Sequence, residues 1–443
     1  MAVMSRRTPS PVTAPAPPSG SWRLLSGWAG SGRRETYSEH LARFGALPLA
    51  AYGGAAGRQR LVETVTASGL RGRGGAGFPT GHKLAAVASS RGRAVVVGNG
   101  CEGEPSSRKD RILAEYAPHL VVEGALVAAH ATGAGEVHLC MHQGAPATAV
   151  LAEAAAAHRS RVNVAVVQVP GGFVASEESA LANYLTRQDS RPTSKPPRVF
   201  EAGVGGRPTL VSNFESLANL ALIARFGPAW FRSAGTAESP GTALITVDGA
   251  VRHPGVVEVP YGLTLAEVMG AAGGPTEALQ ALLVGGYAGH WVPAGAAAAP
   301  LSHAGLAAVG AAVGVGSVIA LPAAACGVVE TALVLRYLAG ESAKQCGPCM
   351  FGLPAIAADF AALATGAAGR DPQVSQRLRR RLGEIDGRGA CAHPDGAVRL
   401  ADSAMRTFEA DLREHLAGRP CGYAGQLPRL PLLQPGNGVV VAR

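Results

Sequence analysis

Two groups of residues in this sequence have the types and spacing to do chemistry. The first runs from Gly69 to Leu84 and reads GLRGRGGAGFPTGHKL, in which Gly72, Gly74 and Gly77 fit G-x-G-x-x-G. Clustered glycines let a backbone take positive φ and approach a ligand closely. Their free N–H groups can then line a concavity for phosphate oxygens. Lys83 adds a point charge just past the loop, and Phe78 offers a flat face for stacking. The same pattern occurs in ordinary surface turns, so structural context must decide. The second group is Cys346 and Cys349, a C-x-x-C, with Cys391 further along. Thiolates at this spacing suit soft metals and iron–sulfur clusters; a structural zinc half-site and a redox dithiol are open alternatives. The chain has only four lysines among its 40 Lys+Arg, and Lys83, Lys109, Lys195 and Lys344 all fall in or beside these and the stretches that follow.

Such residues need elements to hold them. Leu61 to Ser68 reads as a helix leading into the Gly-rich loop, and Lys83 to Ser89 as a helix leaving it. The AVVVG run within Arg93–Gly98 is a buried parallel strand. It empties into GNGCEGEPSSRKDR (98–111), where α/β sheets place ligand loops, past the carboxyl end of a strand. Pro118–Thr132 is a helix, Glu136–Cys140 a strand, Ala145–His158 an alanine-rich helix and Val162–Val169 a strand. Alternation of this kind argues for an α/β unit with a mostly parallel sheet. The last strand ends in GGFVASEESALANYL (171–185), whose Glu177 and Glu178 sit where acids complement a helix dipole. In 194–219, Pro196 and Pro197 are expected to hold the chain extended and present Lys195, and Asn213–Glu215 starts another helix. A composition break at Ser233–Gly241 reads as a linker. Residues 242–274 then read strand, turn, strand, helix, with a turn at His253-Pro254-Gly255, a small β-grasp-like module ending near Pro322. From Glu330 the pattern is helical to about Leu416, broken first at ESAKQCGPCMFG (341–352).

A chain of 443 residues is too long for one ordinary core, and 47% hydrophobic residues are enough to build several. The net charge of +9 suits an anionic cofactor or acidic partner. The excess is scattered arginine rather than a basic stripe with interleaved aromatics, which argues against nucleic acid. Seven cysteines in this length make no disulfide framework, so a reducing compartment fits. Residues 1–22 are rich in Pro, Ser and Ala without an apolar core, and read as a disordered tail rather than a signal peptide. Ala304–Cys326 is uncharged, but its Gly, Ala, Val and Pro322 favour a buried strand and turn over a membrane span. The expected units are thus 23–235, 241–322 and 326–416, followed by a Pro/Gly-rich tail, 417–443, ordered only by packing.

Taken in order, these stretches resemble the flavoprotein subunit of complex I and its relatives in NAD-linked hydrogenases and formate dehydrogenases, over about residues 35–415. The resemblance implies a Rossmann-like parallel-sheet domain binding FMN and NADH, a β-grasp (soluble-ligand-binding) domain, and a C-terminal helical bundle with an iron–sulfur cluster. It assigns Gly72, Arg73, Gly74, Gly75, Phe78 and Lys83 to flavin and nucleotide. Asn99, Glu102 and Glu104 stand in the family's N-A-D-E-x-E-P, with Cys101 at the Asp position. Glu177 and Glu178 stand in its G-A-Y-x-x-G-E-E-T-A-L, with Phe173 for the Tyr, which removes a hydroxyl. Lys195 stands before the two prolines, with Arg198 for the aromatic; Asn213 and Glu215 stand with Ser212 for the first Asn, and Ala86 replaces a second Phe. The cluster pattern C-x-x-C-x-x-C plus a distant Cys keeps Cys346, Cys349 and Cys391 but has Ala343 first. A methyl group cannot bind iron, so the resemblance leaves a [4Fe–4S] cluster with a non-Cys ligand, a [3Fe–4S] cluster, or none. Ser342 and His393 are the nearby ligand candidates, both read first as structural residues, and Cys326 and Cys421 read as a buried and a tail thiol.

The family's activity is hydride transfer from NADH to FMN, then single electrons through the cluster to a ferredoxin-like (thioredoxin-fold) partner of a larger redox complex. This implies an FMN-dependent NADH:acceptor oxidoreductase with no general base, cytoplasmic and peripheral to the membrane through partner subunits, with no span of its own. The competing expectation is a non-catalytic paralogue that keeps the fold as a flavin-binding or scaffold protein; Ala343 and Arg198 discriminate.

Overall fold

The computed structural model describes residues 22–371 and 373–430. The expected N-terminal tail, Trp22 apart, and the tail beyond residue 430 lie outside the described residues. Short helices α1 (Ser26–Ser31) and α2 (Tyr37–Phe44) lead in, the second closed by a Thr36/Glu39 capping box. Helix α3 (Gly54–Ser68) enters the Gly-rich loop and α4 (Thr80–Ser89) leaves it. Then follow β1 (Val95–Asn99), α5 (Lys109–Tyr116), α6 (Pro118–Thr132), β2 (Glu136–His142), α7 (Ala147–Ala157), β3 (Asn163–Val169), α8 (Glu178–Arg187), β4 (Thr209–Asn213) and α9 (Phe214–Arg232).

The four strands form one parallel sheet in the order β3-β2-β1-β4. Val96 of β1 joins the large core beneath α3, α6 and α9, while Val95 and Val97 face a smaller core with Leu181 of α8 and Val199. The VVV run is apolar because both faces are covered. Helices α6 and α9 approach so closely that a Cβ at Gly124 would lie 1.8 Å from the Leu217 carbonyl oxygen, which is why that position is glycine. Both helices are buried nearly all round. Among the described residues no single helix is long and apolar enough to cross a membrane; the bent pair α5–α6, which passes by length and composition together, is core.

The Ser233–Gly241 connection is an ordered turn rather than an open linker, with Gly235 and Pro240 bridged and Ser239 buried. A second sheet follows: β5 (Thr242–Gly249), β6 (Gly255–Pro260), α10 (Leu265–Ala271), β7 (Leu279–Val284), β8 (His290–Pro293), α11 (His303–Ala307) and β9 (Ser317–Pro322). Its order is β6-β5-β9-β7-β8, with β5 and β9 parallel and the other pairs antiparallel. A hairpin, a helix and a last strand inserted between the two hairpins is the β-grasp arrangement read from 242–274. The uncharged stretch 304–326 becomes α11 and the fully buried β9.

The helical region is α12 (Gly327–Gly340), a π-turn over Pro348–Gly352, α13 (Leu353–Ala364), α14 (Val374–Ile385), α15 (His393–Thr407) and α16 (Glu409–Leu416). Its core is continuous with Leu283, Tyr287 and Trp291 of the second sheet. The tail is fixed by more than packing: the Glu330 carboxylate accepts the N–H groups of Arg429 (2.5 Å) and Leu430 (3.1 Å).

Candidate flavin and cluster site

The Gly-rich loop is an arch pinched at its base. Gly72 N–H donates to the Phe78 carbonyl (2.8 Å) and Thr80 N–H to that of Leu70 (2.9 Å). Across the crest, Gly75 and Gly77 have φ of +112° and +60°, values that favour glycine. The crest is a tight turn whose three glycines leave backbone N–H groups open to close approach, which fits a phosphate-bearing ligand. Phe78 stands 52% exposed on its rim. Gly74 faces Asn213, whose Oδ1 caps α9 by accepting Ser216 N–H at 3.0 Å.

Beside the arch, the first turn of α4 points Lys83 at the middle of β4. Its Nζ donates to the Val211 carbonyl (2.7 Å) and to Glu178 (3.2 Å). Lys195 bonds Glu177 (3.0 Å) and the same Glu178 (3.2 Å). Four expected site residues from three stretches thus form one chain of alternating charge. Burial would raise the Glu178 carboxyl, but Lys83 and Lys195 hold it below its ordinary value. Glu177 also caps α8, accepting Ser179 N–H at 2.7 Å and Ala180 N–H at 3.2 Å. The Lys195–Pro196 and Pro196–Pro197 bonds are cis, so this segment bends where an extended run was expected, and Lys195 folds back on the acids.

Other expected residues turn inward. Asn99 ties two loops together, donating to the Ser176 carbonyl (2.9 Å) and accepting Cys101 N–H (3.1 Å). Glu102 accepts Asp110 and Arg111 N–H groups (2.9 and 3.0 Å) at the start of α5. Glu104 takes the Ser106 hydroxyl (2.8 Å) and, across to the second sheet, Tyr287 N–H (2.9 Å). Burial raises both carboxyls, with the Asp110 charge adding at Glu102. The Arg73 backbone belongs to the arch, but its guanidinium does not reach toward a ligand. It is buried over the Tyr261 ring (4.5 Å to the centroid), bonded to the Tyr261 hydroxyl and the Thr242 carbonyl (3.1 Å), and 3.6 Å from Glu215. Lys109 completes this seam between the sheets, 2.8 Å from Asp110 and 3.2 Å from Glu215. Burial alone would lower its pKa; the two carboxylates raise it instead. A cavity of about 110 Å³ lies here, lined by Gly72, Gly77, Glu215, Tyr261 and His303 among others. Lys109, Asp110, Tyr261 and His303 escape sequence reasoning; the only hint is that Lys109 is one of four lysines.

Phe173 leads from the first sheet to the bundle. Its N–H donates to Glu341 (2.8 Å), and its ring packs on His393 and Tyr337 with centroids 5.2 and 6.3 Å away. The three expected cysteines converge there. Cys346 is next to Cys349 and to the Ala390 N–H, which lower its thiol pKa against the effect of burial. Cys349, buried inside the π-turn, is pushed up to about 12 by burial and by Cys346, with Cys391 contributing. Cys391 is raised by burial and senses Glu177, Cys346 and Lys195, so the cysteine group adjoins the charged chain. Beside Ala343, the Ser342 hydroxyl is buried without a hydrogen-bond partner among the described residues, as is His393 Nδ1. Three neighbouring thiols, with a buried unpartnered hydroxyl next to Ala343 in sequence, fit an iron–sulfur cluster. Cys101 and Cys140 lie away from it, in the core under β1 and β2.

Comparison with known proteins agrees with this geometry. Family models match at residues 65–222 (Nuo51 FMN-binding domain), 244–286 (SLBB domain) and 330–415 (NADH-ubiquinone oxidoreductase-F iron-sulfur binding region). An NADH-quinone oxidoreductase F subunit of Rhizobium meliloti (strain 1021) is 32% identical over 382 residues, covering 82% of this chain and 90% of that one. The NADH-quinone oxidoreductase F subunit of Escherichia coli (strain K12) is 31% identical over 371 residues, 79% and 83% of the two chains. A crystal structure of NAD+-reducing [NiFe]-hydrogenase in the air-oxidized state superposes with a TM-score of 0.76 at 31% identity, covering 88% of this chain and 67% of that one.

Proposed function

Because the chain belongs to the family of NADH-quinone oxidoreductase F subunits, we propose that it is the flavoprotein component of a larger redox complex and oxidises NADH. Bound FMN supplies the chemistry of accepting a hydride and releasing electrons singly, and an iron–sulfur cluster carries them on. The observation that carries this reading is the Lys83–Glu178–Lys195–Glu177 chain, anchored on the Val211 carbonyl of β4, beside a glycine arch.

The residues divide the work. The arch of Gly72, Gly74 and Gly75 with Lys83 holds the flavin phosphate, and Phe78 covers the ring system or the nucleotide. Glu178, kept ionised by two lysines, orients the polar edge of the ligand together with Asn99 and Asn213. Glu102, Glu104 and Arg73 act one layer further out, by fixing α5 and the seam. Phe173 spans the gap to the cluster held by Cys346, Cys349 and Cys391. Hydride transfer moves no proton that needs a side-chain base, and none is offered here. Residues 23–235, 241–322 and 326–416 serve as flavin, β-grasp and cluster units. Met350 and Phe351 lie 51% and 70% exposed beside Cys349. Such apolar side chains next to the cluster suit docking of a ferredoxin-like partner, through which the chain sits at the cytoplasmic face of the membrane.

The test is a visible spectrum of protein purified anaerobically. Flavin bands that bleach with NADH are the expected result. Flavin without bleaching points to another donor, and a colourless protein leaves only a scaffold role.

A further inference from the structure

Away from the cluster, a second set of soft ligands converges from three parts of the chain. Cys326 is the residue before α12, His415 lies near the end of α16, and Cys421 follows in the tail. One ligand atom from each lies within 4.8 Å of the other two, and the Cys326 Sγ to His415 Nε2 distance is 3.5 Å. A tetrahedral zinc with its usual bond lengths to sulfur and nitrogen sets that edge at roughly 3.6 Å. Cys326 and His415 are buried, at 3% and 0% exposure, while Cys421 is partly open. We propose that Cys326, His415 and Cys421 form a zinc site, with a water in the fourth position, that staples the C-terminal segment to the helical bundle.

The surroundings prepare these groups for a cation. His415 Nδ1 lies 2.9 Å from the Leu363 carbonyl, which can only accept, so the proton is on Nδ1 and the lone pair on Nε2. That orienting carbonyl is the outer partner that metal-bound imidazoles use. At Cys326, the first N–H groups of α12, those of Val328 and Val329, face the sulfur, although burial and the neighbouring Cys421 leave the thiol raised. Without metal, the His415 lone pair accepts Cys421 N–H at 3.3 Å. Loading exchanges that long bond for coordination and releases the two thiol protons to solvent. The tail is already held near by Glu330 on α12, so little further chain ordering is required. Soft sulfur with imidazole at tetrahedral edges selects zinc over the harder cations.

The experiment uses the full chain, purified under reducing conditions and stripped of metal, titrated with Co2+ and then Zn2+. The cluster cysteines bind Co2+ too, so the comparison is between Cys421→Ser and Cys349→Ser. Expected are thiolate-to-cobalt and tetrahedral bands that survive Cys349→Ser but lose one equivalent in Cys421→Ser. Zinc should also slow tryptic cleavage after Arg429 in the parent and not in Cys421→Ser, a readout that needs no variant of the buried residues. Metal content unchanged by Cys421→Ser overturns the site. So does a Cys326–Cys421 disulfide in the mass spectrum of protein isolated without oxidant.

Discussion

The missing thiol at Ala343 is the sharpest departure at the level of single residues. Ser342 offers a buried, unpartnered hydroxyl one position away, and an oxygen ligand holds iron less firmly than a thiolate in such a site. Ala343→Cys is therefore expected to slow the loss of the visible iron–sulfur absorbance in air. Equal decay in variant and parent would mean that position 343 does not face the cluster. Lys83 makes the complementary case for the flavin. It is the only lysine whose ammonium is hydrogen-bonded to a strand carbonyl of the parallel sheet among the described residues. A charge-assisted hydrogen bond to phosphate contributes about 1.5–3 kcal/mol, so Lys83→Ala should weaken FMN binding roughly 10- to 100-fold. Quenching of flavin fluorescence during titration measures it, and unchanged affinity rejects the phosphate role. Arg73 carries a different lesson. Its place in the glycine motif reads as a ligand contact, yet the guanidinium serves Tyr261 and Glu215, residues far along the chain whose approach no local spacing reveals.

At the level of elements, the docking of α2 depends on a group of imidazoles. His119 at the start of α6 faces Tyr37 and His40 of α2 and His158 after α7, with ring centroids 5.1, 5.2 and 5.4 Å away. The remaining charges nearby are Glu123, bonded to His40 at 2.9 Å and to Arg225 at 2.5 Å, and Arg34. Burial, reinforced by His40 and His158, lowers His119 to about 4. A free imidazole titrates near 6.5. The undocked state thus binds the extra proton between those values, and stability falls as pH drops from about 6.5 to about 4. The loss is at most about 2 kcal/mol once partial solvent screening is allowed for. Protection factors of the amides over residues 37–44, each referred to the intrinsic exchange rate at its pH, should therefore fall between neutral pH and pH ~5. His119→Leu should flatten that response; the same pH dependence in the variant would assign it elsewhere. The elements themselves were largely legible. β-Branched runs at 95–97 and 163–169 and the unbroken apolar pattern of 118–132 specify strand and helix within a few residues; at 95–97 and 118–132 burial leaves little choice, whereas the half-exposed edge strand 163–169 is set by its β-branched residues. The 195–197 bend was not, since nothing in a Lys-Pro-Pro string states the isomer of its peptide bonds.

At the scale of the whole molecule, what the sequence hides is how the units meet. The alternation of strands and helices, and the β-grasp order, follow from local pattern, but the long-range ties are pairs more than a hundred residues apart: Glu104 with Tyr287 and Phe173 with Glu341 between units, and, inside the first, Lys109 with Glu215. The last of these supports the tightest prediction. Lys109 is 2% exposed and neutralises Asp110 and Glu215, while Glu215 also accepts Leu244 N–H at 3.0 Å from the second sheet. Removing one partner of a buried ion pair costs about 3–5 kcal/mol, because the remaining charge stays desolvated. Lys109→Met, similar in length and apolar, should lower the urea midpoint by that free energy. Adding Glu215→Gln should recover part of it, since the amide keeps an acceptor for Leu244 N–H without the buried charge, and the non-additivity reports the coupling. Arg73 leans on the same Glu215, so the glycine arch loosens with the seam, and FMN affinity should fall in Lys109→Met although Lys109 touches no ligand. A variant that loses stability but binds FMN as tightly as the parent would show that the seam joins the sheets without shaping the flavin cradle.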